Sequence, residues 1–242
     1  MIATEATLEN QWARLGAAFS TEPAARTPDL ERCLIRTAEA MPDNPRLLPV
    51  VATWLDRYGD AVARDRLTAL ADTEASVDTR AALGLLLETA DPGRFRAVLK
   101  GLAPVTPTRP LYRQQAANAA LSKRAERLAS DASRRWGLWS QPVDKKPDAI
   151  RPPAWVMRFN PTLRDRIDMR GDLRAAVLAA LWHDPEARES KAALQRLLGA
   201  SRRGISNAIE NLETTQRIEL THDGRETRLC APLPPAARRK AA

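Results

Sequence analysis

Residues 190–230 read SKAALQRLLGASRRGISNAIENLETTQRIELTHDGRETRLC, and this stretch decides the fold. Ser190 is a helix-capping residue, and Ala193, Leu194, Leu197 and Leu198 recur behind it at helical spacing. Gly199 falls where a helix commonly ends in a left-handed residue, a conformation glycine adopts at little cost. Ser201 is placed to cap a second helix. Its buried stripe would be Ile205, Ala208, Ile209 and Leu212, at positions i, i+3, i+4 and i+7. Arg217 to Leu220 and Thr227 to Cys230 are short strand candidates on either side of Asp223-Gly224, a strong hairpin signal. The predicted order is helix, tight turn, helix, strand, turn, strand.

With the apolar stripe assigned inward, the second helix presents Arg202, Arg203, Ser206, Asn207, Asn211 and Thr214 outward, with Glu210 nearby. Arginine can donate two bonds to guanine and asparagine can pair with adenine, while serine reaches phosphate or base. Small polar and cationic groups crowd the first two turns, the part of a reading helix that enters the major groove. Ser201 at its start, Lys191 and Gln195 on the preceding helix, and Arg225 at the hairpin tip complete the expected DNA-contacting set.

The run LLGASRRGISNAIENLETTQRI (197–218) resembles the helix-turn-helix of MarR-type winged-helix regulators. The matching positions are Leu197, Leu198, Gly199, Ala200, Ser201, Arg202, Ile205, Ser206, Ala208, Ile209, Leu212, Glu213 and Ile218. The resemblance covers about 60 residues and implies that Arg202, Arg203, Ser206 and Asn207 read DNA. The chain departs from that pattern at Thr214-Thr215-Gln216, where the family has a glycine-containing turn, and in its long helical front. The segment NPTLRDRI (160–167) resembles part of the winged-helix proteins encoded beside nucleotidyltransferase toxins.

Working outward, Asp172 caps a predicted helix with Leu173, Val177, Ala180 and Leu181 inward, ending near Trp182-His183. A histidine there suits the negative end of the helix dipole. A short helix is predicted from Pro161 to about Ile167. Before it, Gln141 to Pro153 is proline-rich and basic, the pattern of a linker, with Trp136, Trp139 and Trp155 around it as packing residues. One longer helix is predicted over 111–136, with Leu121, Ala125, Leu128, Ala132 and Trp136 on its inner face. Its outer face carries Lys123, Arg124, Arg127, Arg134 and Arg135, candidate phosphate contacts beside the reading module. Three prolines (Pro104, Pro107, Pro110) make the preceding segment a connector.

The front is predicted as about six helices over 5–103. Apolar stripes run Leu8-Trp12-Leu15-Phe19, Leu30-Leu34-Ala38-Met41, Leu47-Val51-Trp54-Tyr58, Val62-Leu67-Leu70, Ala82-Leu85-Leu86-Thr89 and Phe95-Val98-Leu102. Helix starts are marked by a polar residue before proline at Thr27-Pro28, Asn44-Pro45, Asp91-Pro92, Asn160-Pro161 and Asp184-Pro185.

The chain has 242 residues, 44% of them hydrophobic, and a net charge of +8. Residues 1–93 carry −6, residues 94–159 carry +10 and residues 160–242 carry +4. This suggests polyanion contact behind and another task in front. No apolar run reaches the roughly 18 residues of a membrane span, and no secretory leader is seen. Cys33 and Cys230 stand far apart, so neither a disulfide framework nor a metal cluster is expected, and a reducing cytoplasm is the expected compartment. No nucleotide-binding or hydrolase motif occurs and the acidic residues are scattered, so neither enzyme activity nor a cofactor is expected.

The expectation is therefore a mainly α protein. An acidic helical-hairpin domain (1–103) serves dimerisation, partner or signal binding. A basic helix and linker (104–159) lead to a winged helix-turn-helix with a small β-hairpin (160–242). The expected function is sequence-specific binding of double-stranded DNA as a homodimeric transcriptional repressor on a pseudo-palindromic operator. The alternative is an antitoxin or adaptor that holds a partner protein through its front domain and autoregulates through the winged helix.

Overall fold

The structure, a computed structural model, describes residues 6–223 and 226–231. It is mainly helical, with a two-stranded antiparallel sheet near the C-terminus. The front contains α1 (Leu8–Arg14), α2 (Leu30–Ala40), α3 (Leu47–Tyr58), α4 (Arg64–Glu74), α5 (Val77–Ala90) and α6 (Arg96–Gly101). These are the six helices the apolar stripes predict. α5 packs on α2 and α3, and the Trp12, Trp54 and Tyr58 rings meet edge-on or tilted in the core between them.

The helix starts differ from expectation at three of the five proline pairs. Thr27-Pro28 leads to Asp29, whose carboxylate is the cap that accepts from the Arg32 N–H. The Asn44 side chain accepts from the Arg46 N–H, and α3 begins only at Leu47. Asp91 accepts from the Arg94 N–H in a turn that precedes α6. At each, proline's missing N–H is accommodated in a turn rather than in the first helical residue. Asn160-Pro161 starts α11 (Pro161–Asp168), and Asp184-Pro185 starts a 3₁₀ turn (Pro185–Arg188).

The single helix predicted over 111–136 is three short ones: α7 (Arg113–Ala116), α8 (Ala119–Arg127) and α9 (Asp131–Arg135). Asn118 and Ser130 divide them. Each turns its side chain onto backbone N–H groups of the next helix, at Ala120 and Leu121 and at Ser133, so the helical run restarts at both positions. The break also changes which side faces in. Ala125 and Trp136 are buried, but Leu121 and Leu128 are exposed. Trp136 lies on Gly84, where a β-carbon would stand 2.4 Å from its ring, and donates its indole N–H to Glu88. Two-residue strands β1 (Arg109–Pro110) and β2 (Leu138–Trp139) pair in parallel at the base of this arm.

Residues 141–153 lie along the front helices rather than spanning free. The Lys146 N–H donates to Thr53, the Arg151 N–H to the Gly16 carbonyl, and Lys145 reaches Asp56. α10 (Pro153–Phe159) follows, with Val156 fully buried and Trp155 stacked on Phe159. The basic middle also uses charge internally. Arg94, Arg109, Arg113, Arg135 and Lys145 pair with Asp60 and Asp91, Asp78, Asp43, Glu88 and Asp56 of the acidic front. Much of the charge asymmetry along the chain is thus complementarity between segments that pack together.

The last part contains α12 (Leu173–His183), α13 (Lys191–Leu198), α14 (Arg202–Thr214), β3 (Glu219–Asp223) and β4 (Glu226–Cys230). β3 and β4 are antiparallel, with Glu219 opposite Cys230 and Asp223 opposite Glu226. The strands begin a residue or two away from the predicted ends. α12 is buried from Ala175 to Leu181 on every side, the signature of a central helix. It packs on α13, α14 and α4, and α4 also meets α13.

Among the described residues the chain holds two apolar cores. One gathers residues from Trp12 to Leu163; the other gathers Met169 to Leu229 together with Ala63. A buried charge cluster joins them. Arg66 donates to Asp29 (2.6 Å, twice), Glu31 (3.0 Å) and Asp184 (3.0 Å). Arg32 bridges Asp184 (2.6 Å) and Glu74 (2.8 Å), and Arg166 donates to Glu31. Glu31 is wholly buried and also accepts from the Ala63 N–H at 2.8 Å. Although burial alone would raise the Asp29 pKa, hydrogen bonds and charge from Arg66, with Arg32, hold it well below the usual carboxylate range. Beside the cluster, His183 is pushed below the ordinary histidine value by burial, against the pull of Asp29. The dipole interaction predicted for His183 requires the charged imidazolium that this site disfavours.

Candidate nucleic-acid interface

α13 and α14 start and stop where the local chemistry dictates. Ser190 accepts from the Ala193 N–H and Ser201 from the Gly204 N–H, both at 3.1 Å. Gly199 sits between them at φ +60°, and a β-carbon placed there would meet nothing within 4 Å. The left-handed residue turns the chain, so the second helix leaves at an angle to the first. Ile205, Ala208, Ile209 and Leu212 are buried against α12 and α13, as the stripe predicts. Arg217, at the start of the hairpin, forms an ion pair with Asp165 on α11.

Between α13 and α14 lies a groove of about 360 Å³ lined by Lys191, Ala192, Gln195, Arg202, Ile205 and Ser206. Four of the residues predicted to contact DNA therefore meet in one place. Lys191 and Gln195, four apart on α13, face Arg202 and Ser206, four apart on α14. Arg203 and Asn207 are exposed on the next flank of α14, and Ser201 at its cap is exposed too. Lys191, Arg202 and Arg203 have no acidic partner among the described residues. Ala192 and Ile205 were not among the predicted contacts; as small and floor-forming groove residues they carry no polar signal in a sequence.

Two predicted residues stand apart. Asn211 accepts from Arg174 at 3.2 Å, on the side of α14 that turns toward the start of α12. Arg225 lies outside the described residues. The basic arm is also separate from the groove. α7, α8 and α9 pack among themselves, β1, β2 and α5, whereas α14 packs on α12 and α13. Lys123, Arg124, Arg127, Arg134 and Arg135 are exposed there, with Arg135 tied to Glu88 and Arg134 to the Glu126 carbonyl. The main packing of the arm is thus with β1, β2 and α5 rather than with α14.

The charge order of the groove is informative. Arg202 and Arg203 are the first two residues of α14, whose first turn has no acidic side chain. Lys191 opens α13, which also lacks an acid in its first turn. Cations at a helix N-terminus oppose the dipole and cost about 0.3–1 kcal/mol each. A surface helix selected for stability alone places acids there. Among the described residues no group of three or more His, Cys, Asp or Glu is placed to hold a metal ion, and no helix is long and apolar enough to cross a membrane. Comparison with family models, curated proteins and solved structures finds no match to this chain.

Proposed function

We propose that residues 172–231 act as a winged helix-turn-helix that reads double-stranded DNA through α14. The protein would then be a sequence-specific transcriptional repressor, working as a homodimer on a pseudo-palindromic operator. The observation that carries this reading is the set of cations at the starts of α13 and α14, against the local helix dipoles: Lys191 and Arg202 in the groove and Arg203 on the next flank, none with an acidic partner among the described residues. A phosphate or a guanine edge removes that conflict, because both bring negative potential to the Arg202 and Arg203 guanidinium groups. Asn207, one helical turn further along, offers the amide pattern that matches adenine. The buried stripe behind these residues keeps α14 rigid, which discrimination between base pairs requires.

A homodimer follows from length. One helix spans only a few base pairs, and two copies on symmetric half-sites double the contact. The test is selection of bound duplexes from a random pool by the purified protein, followed by titration of the enriched duplex. Arg202→Ala with Asn207→Ala should reduce discrimination against an unrelated duplex by about 10²-fold, taking roughly 1–3 kcal/mol per base contact. Thermal melting should stay unchanged, since both side chains are exposed. Failure to enrich any duplex, or unaltered discrimination by the double variant, overturns the reading.

A further inference from the structure

A cleft of about 400 Å³ lies between the start of α3, the Tyr112–Gln115 turn and residues 141–146. It shares no lining residue with the groove between α13 and α14. Its three walls are tied to one another through the backbone. The Lys146 N–H donates to the Thr53 hydroxyl at 2.8 Å, the Arg113 N–H to the Pro42 carbonyl at 3.0 Å and the Leu111 N–H to the Trp139 carbonyl at 3.0 Å. The cleft is therefore preformed, and its volume falls within the range of about 300–1,000 Å³ that small-molecule sites occupy. Part of the lining is apolar and rigid: Pro45, Pro49 and Pro142, with the half-buried Tyr112 ring beside them. The rest is polar. Gln114, Gln115 and Gln141 bring three primary amides, and Asp144 and Lys146 bring one charge of each sign, so the lining is neutral overall. None of these polar side chains, the Tyr112 hydroxyl included, has a hydrogen-bond or ion-pair partner among the described residues. At Gln115 the Oε1 is buried and no donor reaches it. A buried acceptor without a donor is costly. The last torsion of a glutamine is broad, so this amide can turn to meet a ligand that supplies the donor.

We propose that this cleft binds a neutral purine nucleoside of the adenine type. A side-chain amide offers an acceptor and a donor side by side, the pattern that pairs with N6 and N7 of adenine. Gln115 takes that role: Oε1 accepts from N6 and Nε2 donates to N7. The base lies against the Tyr112 ring and the proline rings, which supply apolar faces for a planar group. Asp144 accepts from a ribose hydroxyl, as a carboxylate does in dinucleotide sites. Guanine fits less well, because its O6 and N7 are both acceptors and leave Oε1 without a donor. A nucleotide also fits less well. Its phosphate calls for cations, and Asp144 offsets the one ammonium in the lining. The site goes beyond the DNA reading and does not depend on it, since the two are built from different elements.

The experiment is calorimetric titration of the full chain with adenosine, and then with guanosine, ribose and adenosine monophosphate. The expected result is saturable adenosine binding with a Kd of about 10⁻⁴ M, the scale for a ligand of this size. Guanosine should bind about tenfold or more weaker, ribose weaker still, and the monophosphate no tighter than adenosine. Gln115→Leu should weaken adenosine about tenfold without lowering the melting temperature, because it removes an unpaired polar atom. Asp144→Ala should weaken adenosine but leave binding of the free base adenine unchanged, a split that a merely structural effect does not produce. Adenosine should slow hydrogen exchange at 112–116 and 141–146, a readout that needs no variant. No saturable binding at millimolar adenosine, equal affinity for guanosine or ribose, tighter binding of the monophosphate, indifference to either variant, or protection elsewhere would each overturn the proposal.

Discussion

Replacing Glu31 by glutamine tests whether the buried charge cluster holds the two cores together. The amide keeps the shape of the side chain and its oxygen can still accept from the Ala63 N–H; the charge is lost, and an NH2 group replaces the oxygen that accepts from Arg66. Arg66 retains Asp29 and Asp184. Arg166 does not: it is 2% exposed, Glu31 is its one acidic partner among the described residues, and its Nε already has no hydrogen bond. The substitution therefore strands a guanidinium in the interior. Breaking a buried pair in this way costs about 3–5 kcal/mol. That is about a fifth or more of the roughly 5–15 kcal/mol that keeps a domain folded. For a chain of this length it lowers the melting temperature by about 6–20 °C.

Arg166→Met combined with Glu31→Gln should cost less than the sum of the two single changes, because the double variant leaves neither charge unpaired. A coupling of about 2 kcal/mol or more is expected from urea unfolding of the wild type, both single variants and the double. Additive costs, or a Glu31→Gln cost below about 1 kcal/mol, would refute the view that these charges are desolvated and mutually dependent.

Acid should weaken the fold through two groups of this cluster. His183 has a depressed pKa, so the unfolded chain takes up a proton first as pH falls below about 6.5, and stability declines by up to about 1.4 kcal/mol per pH unit over that window. Asp29, also depressed, contributes stability that is present above about pH 4 and lost on further acidification. Chemical unfolding followed from neutral to strongly acidic pH should show both phases. His183→Gln should flatten the upper one while leaving the lower; an unchanged upper phase contradicts the assignment. Two glycines give a paired test. Gly199→Ala meets only the left-handed backbone cost of about 1–2 kcal/mol, since nothing stands within 4 Å. Gly171→Ala adds to the same cost a β-carbon 2.0 Å from the Val62 carbonyl oxygen, so its melting temperature should fall further; equal losses would count against the close approach of α4 to the start of α12.

The residues that local physics controls were legible in the chain. Ser190, Gly199 and Ser201 each act within three or four residues of themselves, and α13 and α14 begin and end where those residues require. The stripe Ile205-Ala208-Ile209-Leu212 is a periodic signal, and periodicity survives any tertiary arrangement that buries one face. The same holds for the front helices and for the groove pairs Lys191-Gln195 and Arg202-Ser206, which share faces by spacing alone. Where sequence and structure part, two local signals compete. Leu121 and Leu128 fit an apolar stripe of one long helix, but Asn118 and Ser130 restart the helix, and no neighbouring element among the described residues covers the stripe that results.

Only the tertiary structure decided what the charges do. Asp29, Glu31, Arg66, Arg166 and Asp184 are scattered along most of the chain and carry no motif, yet they converge between α2, α4, α11 and the end of α12. Segment totals of −6 and +10 suggested separate partners, whereas Asp43, Asp56, Asp78 and Glu88 meet their cations inside the molecule. Charge interactions depend on distance through space and on exclusion of water, and neither is written in the order of residues along a chain.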